Sequence, residues 1–150
     1  LIHDFCSYRG LLVLTGISDD ASPSPHLIRS EDGRASLWVG AIDDTWKLGK
    51  PRGVGGPWKL STVTAGTPSD PYLMTGYDAK TLTLSHQAGE PVTFRVELDV
   101  TGDGHWKTYR SFTIPKGEEV THAFPASLSA YWLRTVVDRD CTATAQLTYD

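Results

Sequence analysis

From residue 72 to the end, apolar and polar side chains alternate with a period of two, and turn signals interrupt the pattern at close intervals. Val92, Phe94, Val96, Leu98 and Val100 share one parity; Thr93, Arg95, Glu97 and Asp99 share the other. The last segment repeats the arrangement, with Ala143, Ala145, Leu147 and Tyr149 facing in and Thr142, Thr144, Gln146 and Thr148 facing out. Successive side chains of a strand point to opposite faces, so each such strand has one dry face and one wet face. Antiparallel sheets packed face to face use strands of this kind. Strands are predicted over 72–75, 81–86, 92–100, 106–114, 119–124, 132–138 and 141–149. Gly76-Tyr77-Asp78, Gly102-Asp103-Gly104 and Pro115-Lys116-Gly117 are among the turns between them.

The earlier part has a different texture. Leu11-Leu12-Val13-Leu14 is a continuous apolar run, as expected of a strand buried on both faces. Ser22-Pro23-Ser24-Pro25 marks a loop. Strands over 26–30 and 35–42 flank Glu31-Asp32-Gly33-Arg34, where Asp-Gly signals a hairpin. Trp46-Lys47-Leu48 is read as a third strand, 49–58 as a Gly- and Pro-rich loop lying close against something, and 62–71 as a linker. Helical periodicity is nearly absent, with room at 125–130 for a single turn. The expectation is an all-β, antiparallel fold: a β-sandwich of jelly-roll kind over 71–150, preceded by a smaller blade-like sheet over 1–66.

Composition narrows the classes. The 150 residues carry a net charge of −4 and no basic run, which argues against a nucleic-acid partner. No apolar stretch is long enough to span a membrane as a helix. The chain opens Leu1-Ile2-His3-Asp4, and 2–17 already reads as the inside of a domain, so a piece of a longer chain is expected. Cys6 and Cys141 lie near opposite ends; two buried free thiols are favoured over a disulfide, which leaves the redox compartment open.

The run Ser30-Glu31-Asp32-Gly33-Arg34-Ala35-Ser36-Leu37-Trp38 resembles the Asp-box hairpin of sialidase-like β-propellers, with the Gly directly after the Asp and the aromatic one place late. The Asp-box stabilises a turn and carries no catalysis. The wider stretch 35–58, with Leu37-Trp38-Val39-Gly40 and Gly53-Val54-Gly55-Gly56-Pro57-Trp58, is similar to the last propeller blade of secreted bacterial polysaccharide-processing proteins. Those proteins can end in a β-sandwich, which 71–150 resembles. The resemblance implies the C-terminal part of a larger carbohydrate-active protein, in contact with an upstream domain and located extracellularly, at the cell surface or in the periplasm.

No catalytic constellation is legible. Asp43-Asp44 could serve as a glycosidic carboxylate pair only if the chain turned there, because neighbours in a strand face opposite ways. Asp99, Thr101 and Asp103 with Gly104 match the first half of a calcium loop, but Arg110 stands where a bidentate Glu is needed, so a plain turn is favoured and no metal or other cofactor is assigned. None of His3, His26, His86, His105 and His122 has metal-ligand spacing.

The aromatics are the lead, with five Trp and six Tyr. Exposed aromatic rings can stack on the C–H faces of sugars while their polar edges hydrogen-bond. Trp38, Trp46, Trp58 and Tyr109 are the candidate ring platforms, with Arg95 and Lys107 as polar partners and Glu97 beside them. The leading function is a non-catalytic carbohydrate-binding or accessory domain whose partner is a polysaccharide or oligosaccharide. Two alternatives stand: the C-terminal fragment of a propeller glycoside hydrolase or polysaccharide lyase with its chemistry upstream, and a structural or protein-contact sandwich.

Overall fold

The computed structural model describes residues 2–18, 20–48 and 51–150, with the side chain of Leu48 left aside. The chain divides into two compact units, Leu1–Lys50 and Pro51–Asp150. No helix among the described residues is long and apolar enough to cross a membrane.

The first unit is a four-stranded antiparallel sheet of β1 (Phe5–Tyr8), β2 (Leu11–Leu14), β3 (Leu27–Arg29) and β4 (Ser36–Gly40), in the order β1-β2-β4-β3. β4 rather than β3 lies beside β2, so the sheet is not a simple meander. The Asp32 turn is built as its sequence suggests. Asp32 Oδ1 accepts from Ser30 Oγ at 2.6 Å and from the Arg34 N–H at 3.1 Å, while Ser30 Oγ accepts from the Ala35 N–H at 3.0 Å. β2 departs from expectation. Leu14 is buried, but Leu11 is 40% exposed and Leu12 and Val13 are half-buried, so the strand is not buried on both faces. Trp46-Lys47-Leu48 is not a strand; it ends a 3-10 helix, Ile42–Leu48. Asp44 accepts from the Ala41 N–H at 3.0 Å and from Lys47 Nζ at 3.1 Å, which caps that helix.

The second unit is a sandwich of eight strands: β5 (Gly53–Val63), β6 (Tyr72–Leu73), β7 (Lys80–His86), β8 (Val92–Asp99), β9 (Trp106–Ile114), β10 (Glu119–Ala123), β11 (Trp132–Val137) and β12 (Cys141–Tyr149). One sheet has the order β10-β7-β12-β5 and the other β6-β11-β8-β9, all neighbours antiparallel. The dry faces meet in one core. Leu82, Leu84, Ala143, Ala145 and Leu147 come from the first sheet and Val92, Phe94, Val96 and Leu133 from the second, all inaccessible to solvent. Burying each Leu or Phe contributes roughly 1.5–3 kcal/mol.

Two expectations are corrected here. Residues 53–58 form the first half of β5 rather than a loop, and 64–71 is no linker. Gly66 N donates to Val137 O at 2.9 Å, Ser69 N to Thr135 O at 2.9 Å, and Thr135 N to Ser69 Oγ at 3.0 Å. The boundary therefore falls after Lys50 and not between 66 and 71. β5 hides in the sequence because glycine and proline are poor strand formers. It is an edge strand, where Pro57 costs no ladder bond that a central strand would need. Its two register shifts against β12 break the alternation. The expected close approach is real: a Cβ on Gly56 would lie 2.0 Å from Ala145 O, and one on Gly55 2.0 Å from Tyr72 Oη.

Candidate functional site

Of the two solvent-facing sides of the sandwich, only one carries aromatic rings. The outer face of β10-β7-β12 presents Thr81, Thr83, Thr121, Thr142, Thr144, Gln146 and Thr148, a hydroxyl and amide surface. On the other sheet the register lines up Leu73, Trp132, Asp99 and Trp106 across four strands. The next outward row is Arg134, Glu97 and Thr108, and the one after it Val136, Arg95 and Ser111.

These rows interlock. The Arg134 guanidinium lies over the Trp106 ring, 4.3 Å from its centroid. Arg134 Nε donates to Glu97 Oε2 at 2.7 Å and Arg95 Nε donates to Glu97 Oε1 at 2.8 Å. Burial pushes the Glu97 carboxyl up, and the hydrogen bonds and charges of Arg134 and Arg95 outweigh it, leaving the group below its ordinary value. Glu97 is thus ionised and fixed at neutral pH, and it orients both guanidinium groups. Among the described residues neither arginine spends its terminal Nη groups on a hydrogen bond. Trp106 and Trp132 are each half-buried. A hollow of about 270 Å³ adjoins this face, lined by Thr93, Arg95, Ser111 and Asp138 among others. Rigid rings with preset N–H donors can take a ligand that has apolar C–H faces and many oxygens.

The residues singled out from sequence fare unequally. Arg95 is in this array and its side chain is 47% exposed. Tyr109 and Lys107 are not. A bulge opposite Val96 and Glu97 inserts one residue in β9, so Lys107 pairs with Leu98 and shares its parity, on the side away from Arg95. Tyr109 turns to the core side, donating or accepting at 3.0 Å with His122 Nε2 and packing 5.3 Å from the Phe124 ring. Trp58 is 8% exposed and meets Phe94 edge-on, centroids 6.4 Å apart. Trp38 is 4% exposed, beside His26. Both are core rings and cannot stack on a ligand as they stand. Trp46 is 83% exposed but belongs to the other unit and stands on the 3-10 helix.

Sequence reasoning missed Trp106, Trp132 and Arg134. Trp132 and Arg134 were readable, because they alternate with the core residue Leu133. Trp106 was not, since the bulge that decides its face has no glycine or proline to announce it.

The other candidates have structural work. Asp99 is 2% exposed; its Oδ1 accepts from the Gly102 N–H at 2.8 Å and its Oδ2 from the Gly104 N–H at 2.9 Å, so it braces the turn. Asp103 accepts from the His105 N–H at 3.0 Å. Among the described residues no group of three or more His, Cys, Asp or Glu is placed to hold a metal ion. His86 is buried with both ring nitrogens engaged, by Ile114 O at 2.9 Å and the Ala88 N–H at 3.1 Å. Burial, then the Arg110 charge, lowers the His122 ring below the ordinary histidine range. Cys6 and Cys141 are both free, and Cys6 is exposed rather than buried. Burial, with Asp138 and Asp140 nearby, pushes the Cys141 thiol up and away from reactivity. Comparison with protein-family models, curated proteins and solved structures finds no match to this chain.

Proposed function

We propose that the sandwich Pro51–Asp150 is a non-catalytic carbohydrate-binding module of an extracellular, polysaccharide-acting protein, and that it binds through the outer face of β6-β11-β8-β9. The observation that carries this reading is the Trp106–Arg134–Glu97–Arg95 array in register with Trp132. The rings supply flat apolar area at low entropic cost. The arginines supply directed donors, held in place by one carboxylate. The test is a glycan array or affinity gel run with the whole chain. Retention on one glycan class is expected, lost in Trp106→Ala and Trp132→Ala and kept in Lys116→Ala, which alters an exposed turn. Retention that survives both Trp changes in folded protein, or no retention on any plant, algal or host polysaccharide, would overturn the proposal.

A second reading, favoured by a different observation, concerns the first unit. Tyr8, Ile28 and Leu37 are 60%, 57% and 37% exposed on one face of its sheet. Such a face suits contact with another protein domain, as in the C-terminal part of a larger carbohydrate-active protein. Ile28→Lys should then reduce binding of an apolar dye without lowering the melting temperature; an unchanged dye signal would count against it.

A further inference from the structure

The outer face of β6-β11-β8-β9 is ordered as a strip, and that order narrows the glycan it suits. Leu73, Trp132, Asp99 and Trp106 stand level on four neighbouring strands, so the strip runs across the strands and not along them. Only β8 separates Trp132 on β11 from Trp106 on β9. Two strand spacings put their backbones about 9.5 Å apart. Asp99, between them, is buried and folded into its own turn, with its oxygens on the Gly102 and Gly104 N–H groups at 2.8 and 2.9 Å. Leu73 is exposed and prolongs the apolar line beyond Trp132. The Arg134 guanidinium, 4.3 Å from the Trp106 centroid, backs that ring and fixes it.

One row further along, the surface turns polar. Arg134, Glu97 and Thr108 lie level there. Two residues of strand separate the rows by about 6.7 Å. The charges of the array cancel among themselves. Glu97 accepts from both Arg95 and Arg134, and turn N–H groups meet Asp99, which sets two cations against two anions. Beyond Arg95, Asp138 and Glu90 share Arg139, and the whole chain carries a net charge of −4. This balance offers no attraction to a polyanion, while the arginine Nη groups still donate to neutral oxygens.

We propose that this strip binds a neutral polysaccharide of β-1,4-linked pyranoses, laid across the strands with every second ring on a Trp. The inference rests on the sugar-binding reading of this face. A pyranose with equatorial substituents has flat C–H faces and carries its hydroxyls at the rim. The C–H face suits the line of Leu73, Trp132 and Trp106, and the rim hydroxyls on one side meet the row of Arg134 and Thr108. An extended β-1,4-linked chain repeats every two sugars, over a length that matches the Trp spacing. An α-linked chain curls away from a straight line of rings, and an axial hydroxyl breaks the flat face.

The experiment is affinity electrophoresis of the whole chain in hydroxyethyl cellulose, xylan, glucomannan, soluble starch, dextran and carboxymethyl cellulose, with calorimetry on matched oligosaccharides. Retention is expected on at least one of the neutral β-1,4-linked polymers, insensitive to salt, and weaker on starch, dextran and carboxymethyl cellulose. Affinity should step up from disaccharide to trisaccharide, the shortest chain that reaches both rings. Trp106→Ala and Trp132→Ala should each weaken binding about tenfold, and Trp132→Tyr should keep most of it. The polymer preference and the length step are read on the unaltered chain, so they stand even if a Trp variant does not fold. Preference for starch, dextran or carboxymethyl cellulose, retention that salt abolishes, or a disaccharide bound as tightly as a trisaccharide would each overturn the inference. If such binding is still lost in Trp106→Ala, the carbohydrate-binding reading survives it; no retention on any polymer overturns both.

Discussion

Replacing Gly56 by alanine tests how β5 joins the sandwich. In an unconstrained strand the change would add stability, about 0.4–1 kcal/mol, by restricting the unfolded chain. Here the new Cβ would sit 2.0 Å from Ala145 O and 2.6 Å from Gln146 Cα. Both contacts are backbone, so no side-chain rotation relieves them. β5 must move off β12 at the point where Trp58 pairs with Ala145 and Gly55 with Leu147. Overpacking of this kind costs about 1–3 kcal/mol, and loosening Trp58, which is buried against Phe94, adds to it. A net loss of roughly 2–3 kcal/mol in a unit of this size lowers the melting temperature by about 10–20 °C. Urea and thermal melts followed by Trp fluorescence measure it directly. An unchanged or raised melting temperature would refute the close-approach argument, because the entropic effect alone has the opposite sign.

Three further outcomes follow from particular residues. Leu60 has φ of 51° at a β5 register shift and is 65% exposed, so Leu60→Asn should raise stability by up to ~1 kcal/mol in a urea melt, since asparagine tolerates this backbone and little packing is lost. Thr135 is fully buried and its Oγ1 has no hydrogen-bond partner among the described residues, so Thr135→Val should be neutral or stabilise by about 1 kcal/mol; a marked loss would mean that the hydroxyl is satisfied. Glu97 has a folded pKa below its ordinary 4.5, so its contribution is full above that value and lost as pH falls through the folded value. Glu97→Gln should flatten that acid limb and cost about 1–2 kcal/mol at neutral pH, chiefly through Arg134, because the Arg95 pair is half-exposed and screened; an acid limb that keeps its slope would count against it.

What the sequence determined by itself was the part governed by local periodicity. Strands β7 to β12 follow from alternation, and so do the facing residues of β7, β8 and β12, because a strand with one dry face must place its apolar residues two apart. The Asp32 turn was equally local, since its hydrogen bonds close within six residues of chain. Tertiary structure decided what depends on partners distant in sequence. β5 is a strand only because β12, more than 80 residues later, accepts a Gly-Gly-Pro segment at close range. The burial of Trp58 and Trp38 was settled by what packs above them, which parity does not encode. The array at Glu97 joins Arg95 on its own strand to Arg134 on β11 and Trp106 on β9, and a bulge in β9 chooses which aromatic faces outward. A one-residue register shift exchanges the two faces of a strand, and such a shift leaves no mark on the composition of the segment that carries it.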